Sequence, residues 1–169
     1  MNHAERDHLL RVPVAKRTSC AAAQQARTAL EGCSRPLICS HIRLDGDAIG
    51  AEVGLFHILR DMGKDPEIVN DGAVPSAYMF LCSGLRVGSK PGDISRDRDL
   101  VAVLDLSNLE RLGSLAGTLP PGVARVNIDH HAGNDKYADV NWVDAGYSSV
   151  GRPSFAEQTT GRILWPSSQ

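Results

Sequence analysis

Three short apolar runs in this chain each stop at a cluster of hard, metal-ligating side chains. Residues 36–40 deliver His41, with Asp45 and Asp47 close behind. Residues 100–104 deliver Asp105, and residues 124–128 deliver Asp129, His130 and His131. A short continuous apolar run bounded by polar residues fits a strand buried on both faces, as in a parallel sheet. Carboxylates and imidazoles at three such run ends predict strands whose C-terminal ends line one crevice, where open α/β sheets bind their ligands.

The segments between the runs supply connections of the right kind. Residues 21–30 are alanine-rich and predict a helix ending near Gly32. Asp47 is placed to cap a helix over 48–62, with Ile49, Val53, Phe56, Leu59 and Met62 recurring on one face. Residues 67–70 read as a second strand, and Pro75 opens a helix to about Leu81. Residues 84–99 read as loop. A short helix is expected within 106–115, before the hard stop at Pro120-Pro121-Gly122. Residues 140–143 read as a further short strand. Strands alternating with helices predict an α/β fold, doubly wound, with a largely parallel sheet flanked by helices. The domain is expected over 36–151, after an N-terminal leader with a helix over 1–35. Residues 152–169, with two prolines and no sustained period, read as a disordered tail.

Composition narrows the partners. A chain of 169 residues with 42% hydrophobic and 22% charged content supports one domain with a core. Its formal charge of −2 gives no basic footprint for a long nucleic-acid duplex, but leaves room for a small phosphorylated ligand held by metals. Cys20, Cys33, Cys39 and Cys82 form no CxxC pair and read as reduced packing cysteines of a cytoplasmic protein. No stretch approaches the ~20 apolar residues that span a bilayer. The mixture of His3, Glu5, Arg6, Asp7 and His8 lacks the apolar centre of a signal peptide.

Carboxylates with one or two imidazoles suit octahedral Mn2+ or Mg2+ rather than a thiolate zinc site. A turn lets His41 and Asp45 grip one cation while Asp47 points to a second. Asp105 can bridge both with its two oxygens, and His130 can complete the second. Two ions roughly 3.5–4 Å apart share a hydroxide and clamp a phosphate. His131 is placed to bind that phosphate or protonate the leaving oxygen, and Arg111 to neutralise a non-bridging oxygen. Taken singly, Asp45-Gly46-Asp47 is an ordinary turn and helix cap, Asp105 a turn residue and His130-His131 a loop surface. Their joint occurrence behind three apolar runs favours the metal site. His57 falls on a helix surface, and Trp142 reads as a packing residue.

These residues resemble the DHH phosphoesterase family, whose name is the triplet Asp129-His130-His131. His41-x-x-x-Asp45-x-Asp47 is similar to its first motif, and Asp105 with Ser107, Asn108 and Arg111 to its second. Residues 138–144 followed by Ser148-Ser149 are similar to the segment after the third motif in the NrnA-type oligoribonuclease and pAp-phosphatase branch. The resemblance implies two manganese ions, one held by His41, Asp45 and Asp105, the other by Asp47, Asp105 and His130. It implies a catalytic and substrate-facing His131, and an Asp129 that orients its neighbours. The implied substrates are short single-stranded RNA or a small phosphorylated nucleotide such as pAp. The family's further Asp motif and glycine-rich C-terminal domain do not appear after Gly151, so a truncated domain with impaired turnover is expected. Apolar surface left uncovered then admits a homodimer. Two other assignments compete: a DHH-type inorganic pyrophosphatase, and a non-catalytic metal- or nucleotide-binding remnant.

Overall fold

The computed structural model describes residues 18–151; residues 1–17 of the expected leader and the expected tail, 152–169, lie outside the described residues. Six strands form one sheet: β1 (Pro36–Cys39), β2 (Glu67–Val69), β3 (Val87–Gly88), β4 (Leu100–Leu104), β5 (Ala124–Asp129) and β6 (Val140–Val143). Their order is β3-β2-β1-β4-β5-β6, and every neighbouring pair is parallel. The chain leaves β1 toward one edge and returns through β4 on the other side. Such a reversal of strand order opens a crevice at the C-terminal ends of β1 and β4.

Both central strands are buried throughout, which is why they read as unbroken apolar runs. Alternate side chains serve opposite faces of the sheet. Ile38, Leu100, Ala102 and Leu104 pack on the face covered by helices α1 (Thr18–Gly32) and α2 (Gly46–Asp61), with Ala23, Ala26, Leu55 and Leu59. Leu37, Cys39, Val101 and Val103 pack on the other face, against Leu106, Leu112, Leu115 and Leu119. Each fully buried Leu or Val contributes about 1.5–3 kcal/mol from removal of its surface from water. The α1 helix thus belongs to the core. Its C-terminal carbonyls are capped by the Lys64 ammonium, which reaches the oxygens of Glu31 and Cys33.

Several local expectations need correction. Residue 45, not 47, caps α2: the Asp45 carboxylate accepts from the amides of Asp47 and Ala48. The buried face of α2 is Ala48, Ile49, Ala51, Glu52, Leu55 and Leu59, while Met62 is exposed beyond its end. Small residues let this helix lie close to the sheet, which displaces the stripe expected from the larger side chains. The expected loop 84–99 contains β3 and a 3-10 turn, Pro91–Asp93. Two residues carry too little pattern to announce a strand. The segments Ser76–Cys82 and Leu109–Leu115 are 3-10 helices, the second interrupted at Gly113 (φ 64°, ψ −132°). A Cβ there would run into the Asp71 carboxylate, whose Oδ2 accepts from the Ser114 amide at 2.6 Å. Among the described residues no helix is long and apolar enough to cross a membrane.

Candidate metal centre

His41, Asp45, Asp47, Asp105, Asp129, His130 and His131 converge at the C-terminal edge of β1, β4 and β5. Asp105 lies at the centre, 2% exposed, immediately after β4. Its backbone is in the left-handed region (φ 55°), which aspartate tolerates better than most residues. Its Oδ2 faces His41 Nε2 at 3.6 Å, and its Oδ1 faces His130 Nε2 at 3.3 Å and His131 Nδ1 at 3.6 Å. Asp45 Oδ2 lies 4.0 Å from His41 Nε2, and Asp47 Oδ2 lies 3.5 Å from His130 Nε2. Ligand atoms of His41, Asp45 and Asp105 all lie within 4.8 Å of one another.

The hydrogen bonds around the two histidines decide which ring nitrogen is free. His41 Nδ1 meets the Ile42 carbonyl at 2.7 Å, and His130 Nδ1 meets the Tyr147 carbonyl at 3.2 Å. A carbonyl only accepts, so each Nδ1 carries the proton and donates. In the neutral rings each Nε2 is then a lone pair aimed into the crevice, the arrangement that metal-bound histidines favour. Asp105 Oδ1 is buried with no hydrogen-bond partner. A buried carboxylate oxygen without a donor is costly, and a cation between it and the Nε2 atoms removes that cost. Oxygen and imidazole donors of this kind fit a hard or borderline divalent ion. The Asp105 carboxylate facing the His41 ring raises its pKa above the ordinary histidine range, against the opposing effects of burial and the nearby Arg111 charge.

Asp129, His130 and His131 divide their work. Asp129 is fully buried, and its Oδ1 accepts from the His130 amide at 2.8 Å and His131 Nδ1 at 2.7 Å. Its Oδ2 accepts from Asn134 Nδ2 at 2.6 Å. Asp129 also brings a ligand atom within 4.8 Å of those of Asp105, His130 and His131. Both its oxygens are already committed to protein donors, so its chemistry is that of an orienting group. His131 gives its Nδ1–H to Asp129, which leaves Nε2 for a ligand. Arg111 stands on the 3-10 helix after β4, and its carbonyl accepts the Ile42 amide at 2.8 Å. That bond ties the Arg111 turn to the His41 loop. Trp142 packs in the core and His57 is exposed, as expected.

Some contributors were invisible in the sequence. Val150 donates its amide to Asp47 Oδ2 at 3.0 Å, and Tyr147 orients His130 through its carbonyl. Backbone groups leave no residue-type signal. Ser40, Asn70 and Glu52, all fully buried, lie beneath the first motif. Glu52 did leave a trace, as a charge three residues after Ile49 on the apolar side of a helix.

The model of the DHH family N-terminal domain matches residues 35–160. The bifunctional oligoribonuclease and PAP phosphatase NrnA of Bacillus subtilis is 36% identical over 110 residues, covering 65% of this chain and 33% of that protein. Its namesake from Thermus thermophilus is 32% identical over 107 residues, covering 63% of this chain and 31% of that protein. The chain therefore spans about a third of the length of these relatives. An exopolyphosphatase-related protein from Bacteroides fragilis superposes with a TM-score of 0.70 at 22% identity, over 78% of this chain and 41% of its own, a likeness of fold.

Proposed function

Since this chain belongs to the DHH family, we propose that it is a phosphoesterase that holds two divalent cations, Mn2+ by preference with Mg2+ admissible, in the crevice at β1, β4 and β5. The observation that carries this is Asp105, whose buried, donor-free Oδ1 and opposite Oδ2 face one imidazole Nε2 each. His41, Asp45 and Asp105 would hold one ion, and Asp47, Asp105 and His130 the other. Such a pair supplies Lewis acidity and an activated water for attack on a phosphate ester.

The remaining chemistry belongs to side chains. His131, about 40% exposed and anchored through Nδ1, presents Nε2 to the substrate phosphate and can pass a proton to the leaving oxygen. Asp129 holds that ring in place through Nδ1, so proton transfer needs no search for orientation. Arg111 offers a forked, permanently charged donor to a non-bridging phosphate oxygen. The substrates proposed are short single-stranded RNA and pAp, in keeping with the names of the relatives. The cytoplasm is the proposed location, where the free thiols of Cys33, Cys39 and Cys82 are at home.

The test is hydrolysis of pApA, pAp and inorganic pyrophosphate by purified protein, with and without Mn2+, beside calorimetric Mn2+ titration. Manganese-dependent release of nucleotide or phosphate, lost on adding EDTA, is expected from pApA or pAp. Turnover of pyrophosphate alone would replace this substrate class with a pyrophosphatase. Binding without any turnover would leave a metal-binding domain and overturn the phosphoesterase.

A further inference from the structure

Parallel strands must separate at their C-terminal ends to make a crevice, and separation strips backbone groups of their ladder partners. Register between β1 and β4 runs to Cys39 and Val103, and between β1 and β2 to Ile38 and Ile68. Beyond that point side chains take over. Ser40 donates its hydroxyl to the Leu104 carbonyl at 2.6 Å and its amide to Asn70 Oδ1 at 2.9 Å. Asn70 donates Nδ2 to Glu52 Oε2 at 2.9 Å. Ser40, Asn70 and Glu52 are each fully buried. The three bonds join the ends of β4, β1 and β2 to the second turn of α2.

Each joint sits next to a proposed ligand. Ser40 precedes His41, Leu104 precedes Asp105, and Glu52 lies on the helix whose start carries Asp45 and Asp47. A fully buried carboxyl group is costly to keep, and Glu52 has one hydrogen bond, from Asn70, while its Oε1 has no partner. Packing alone would be served better by an apolar residue at this position.

We propose that Ser40, Asn70 and Glu52 are positioning residues, a buried strut that sets where His41 stands against Asp105 and thereby how tightly the first cation is held. This rests on the cation site proposed above.

The experiment compares Ser40→Ala, Ser40→Thr and Asn70→Ala with Leu59→Ala, a fully buried core change at the far end of α2. Mn2+ affinity is read by calorimetry. The His41 and His130 ring signals are read by NMR in metal-free protein, and melting temperature alongside. Ser40→Ala and Asn70→Ala are expected to weaken Mn2+ binding at the site of His41, Asp45 and Asp105 by about 10–100-fold, the usual cost of losing a group behind a ligand. They should also move the His41 ring signals while leaving those of His130 in place. Ser40→Thr keeps the hydroxyl and should restore affinity to within about threefold of the parent. Leu59→Ala should lower the melting temperature and leave both other readings unchanged. If Ser40→Ala and Asn70→Ala behave as Leu59→Ala does, the strut is packing and the proposal is wrong. If the parent protein binds no Mn2+, the cation site is wrong, and the metal-free His41 signals still decide whether the strut positions that ring.

Discussion

In the half of the crevice beside β1, His41 is oriented by the carbonyl of its own neighbour, Ile42; in the half beside β5, His130 is oriented by the carbonyl of Tyr147, seventeen residues away. The contrast extends to the carboxylates. Asp45 is fixed by amides two and three residues ahead, whereas Asp47 is held by the amide of Val150, 103 residues along the chain. His41 is 4% exposed, and the side chain of His130 is 21% exposed. One half is thus built by the first motif and the strands under it. The other also takes hydrogen bonds to His130 and Asp47 from the chain after β6. The ring and carboxylate contacts of the first half are thus short-range in sequence, and those of the second half are long-range.

Asp105 serves both halves, so its loss should have the largest effect. Asp105→Asn removes the shared charge with almost no change of volume. Turnover should disappear, and Mn2+ affinity should fall at both sites by more than the roughly 10–100-fold that losing an outer partner costs. The melting temperature should hardly change. Calorimetry showing one site intact in this variant would break the idea that a single carboxylate joins the halves.

His131→Ala should come next, slowing turnover by about 10²–10⁴-fold if the ring moves a proton. Both Mn2+ binding events should persist, because Nδ1 is committed to Asp129 and not to an ion. Full activity at saturating Mn2+ would remove His131 from the chemistry.

The comparison itself is sharpened by His41→Ala and His130→Ala. The parent should show two Mn2+ affinities, the tighter belonging to the locally built half. His41→Ala should abolish the tighter event and His130→Ala the weaker, seen as one missing step in each titration. The reverse assignment would mean that burial and local anchoring do not set affinity here.

A smaller effect concerns stability against pH in metal-free protein. Burial pushes the Glu52 carboxyl up to about 8, with the Asn70 hydrogen bond opposing. The folded state therefore keeps a proton that the unfolded chain releases near pH 4.5. Between those values the unfolded state binds fewer protons, so stability falls as pH rises across the window. His41 adds in the same direction: its raised pKa contributes stability below the ordinary histidine value that is lost as pH climbs through the folded one. Urea unfolding in EDTA should show a loss on the order of a few kcal/mol between pH 5 and 8. Glu52→Gln should flatten most of that slope, and a flat profile in the parent would contradict a neutral buried carboxyl.

The parallel α/β class was legible because the central strands are buried on both faces, which leaves unbroken apolar runs in the sequence. The two-residue β3 escaped notice because no period exists in so short a strand. The N-cap of α2 was misplaced by two residues because Asp45 and Asp47 are the same residue type, and only backbone direction separates a cap from a first-turn residue. The candidate ligands His41, Asp45, Asp47, Asp105 and His130, and the neighbouring His131, could be picked out because hard donors cluster where apolar runs stop. Their supports could not. Tyr147 and Val150 act through backbone groups that any residue carries, and Asn70 looks like a turn residue until Ser40 is seen beside it.

By itself, then, the sequence determined the parallel α/β class, the strand ends that carry the candidate ligands and the kinds of donor atom available. These follow from local burial and from chemistry written into side-chain identity. The tertiary structure alone decided that Asp105 faces both imidazoles, that Asp129 is spent on orientation, and that a buried serine, asparagine and glutamate sit beneath the site. Those outcomes depend on which strand ends become neighbours when β4 crosses back beside β1, and strand adjacency is a property of the folded sheet.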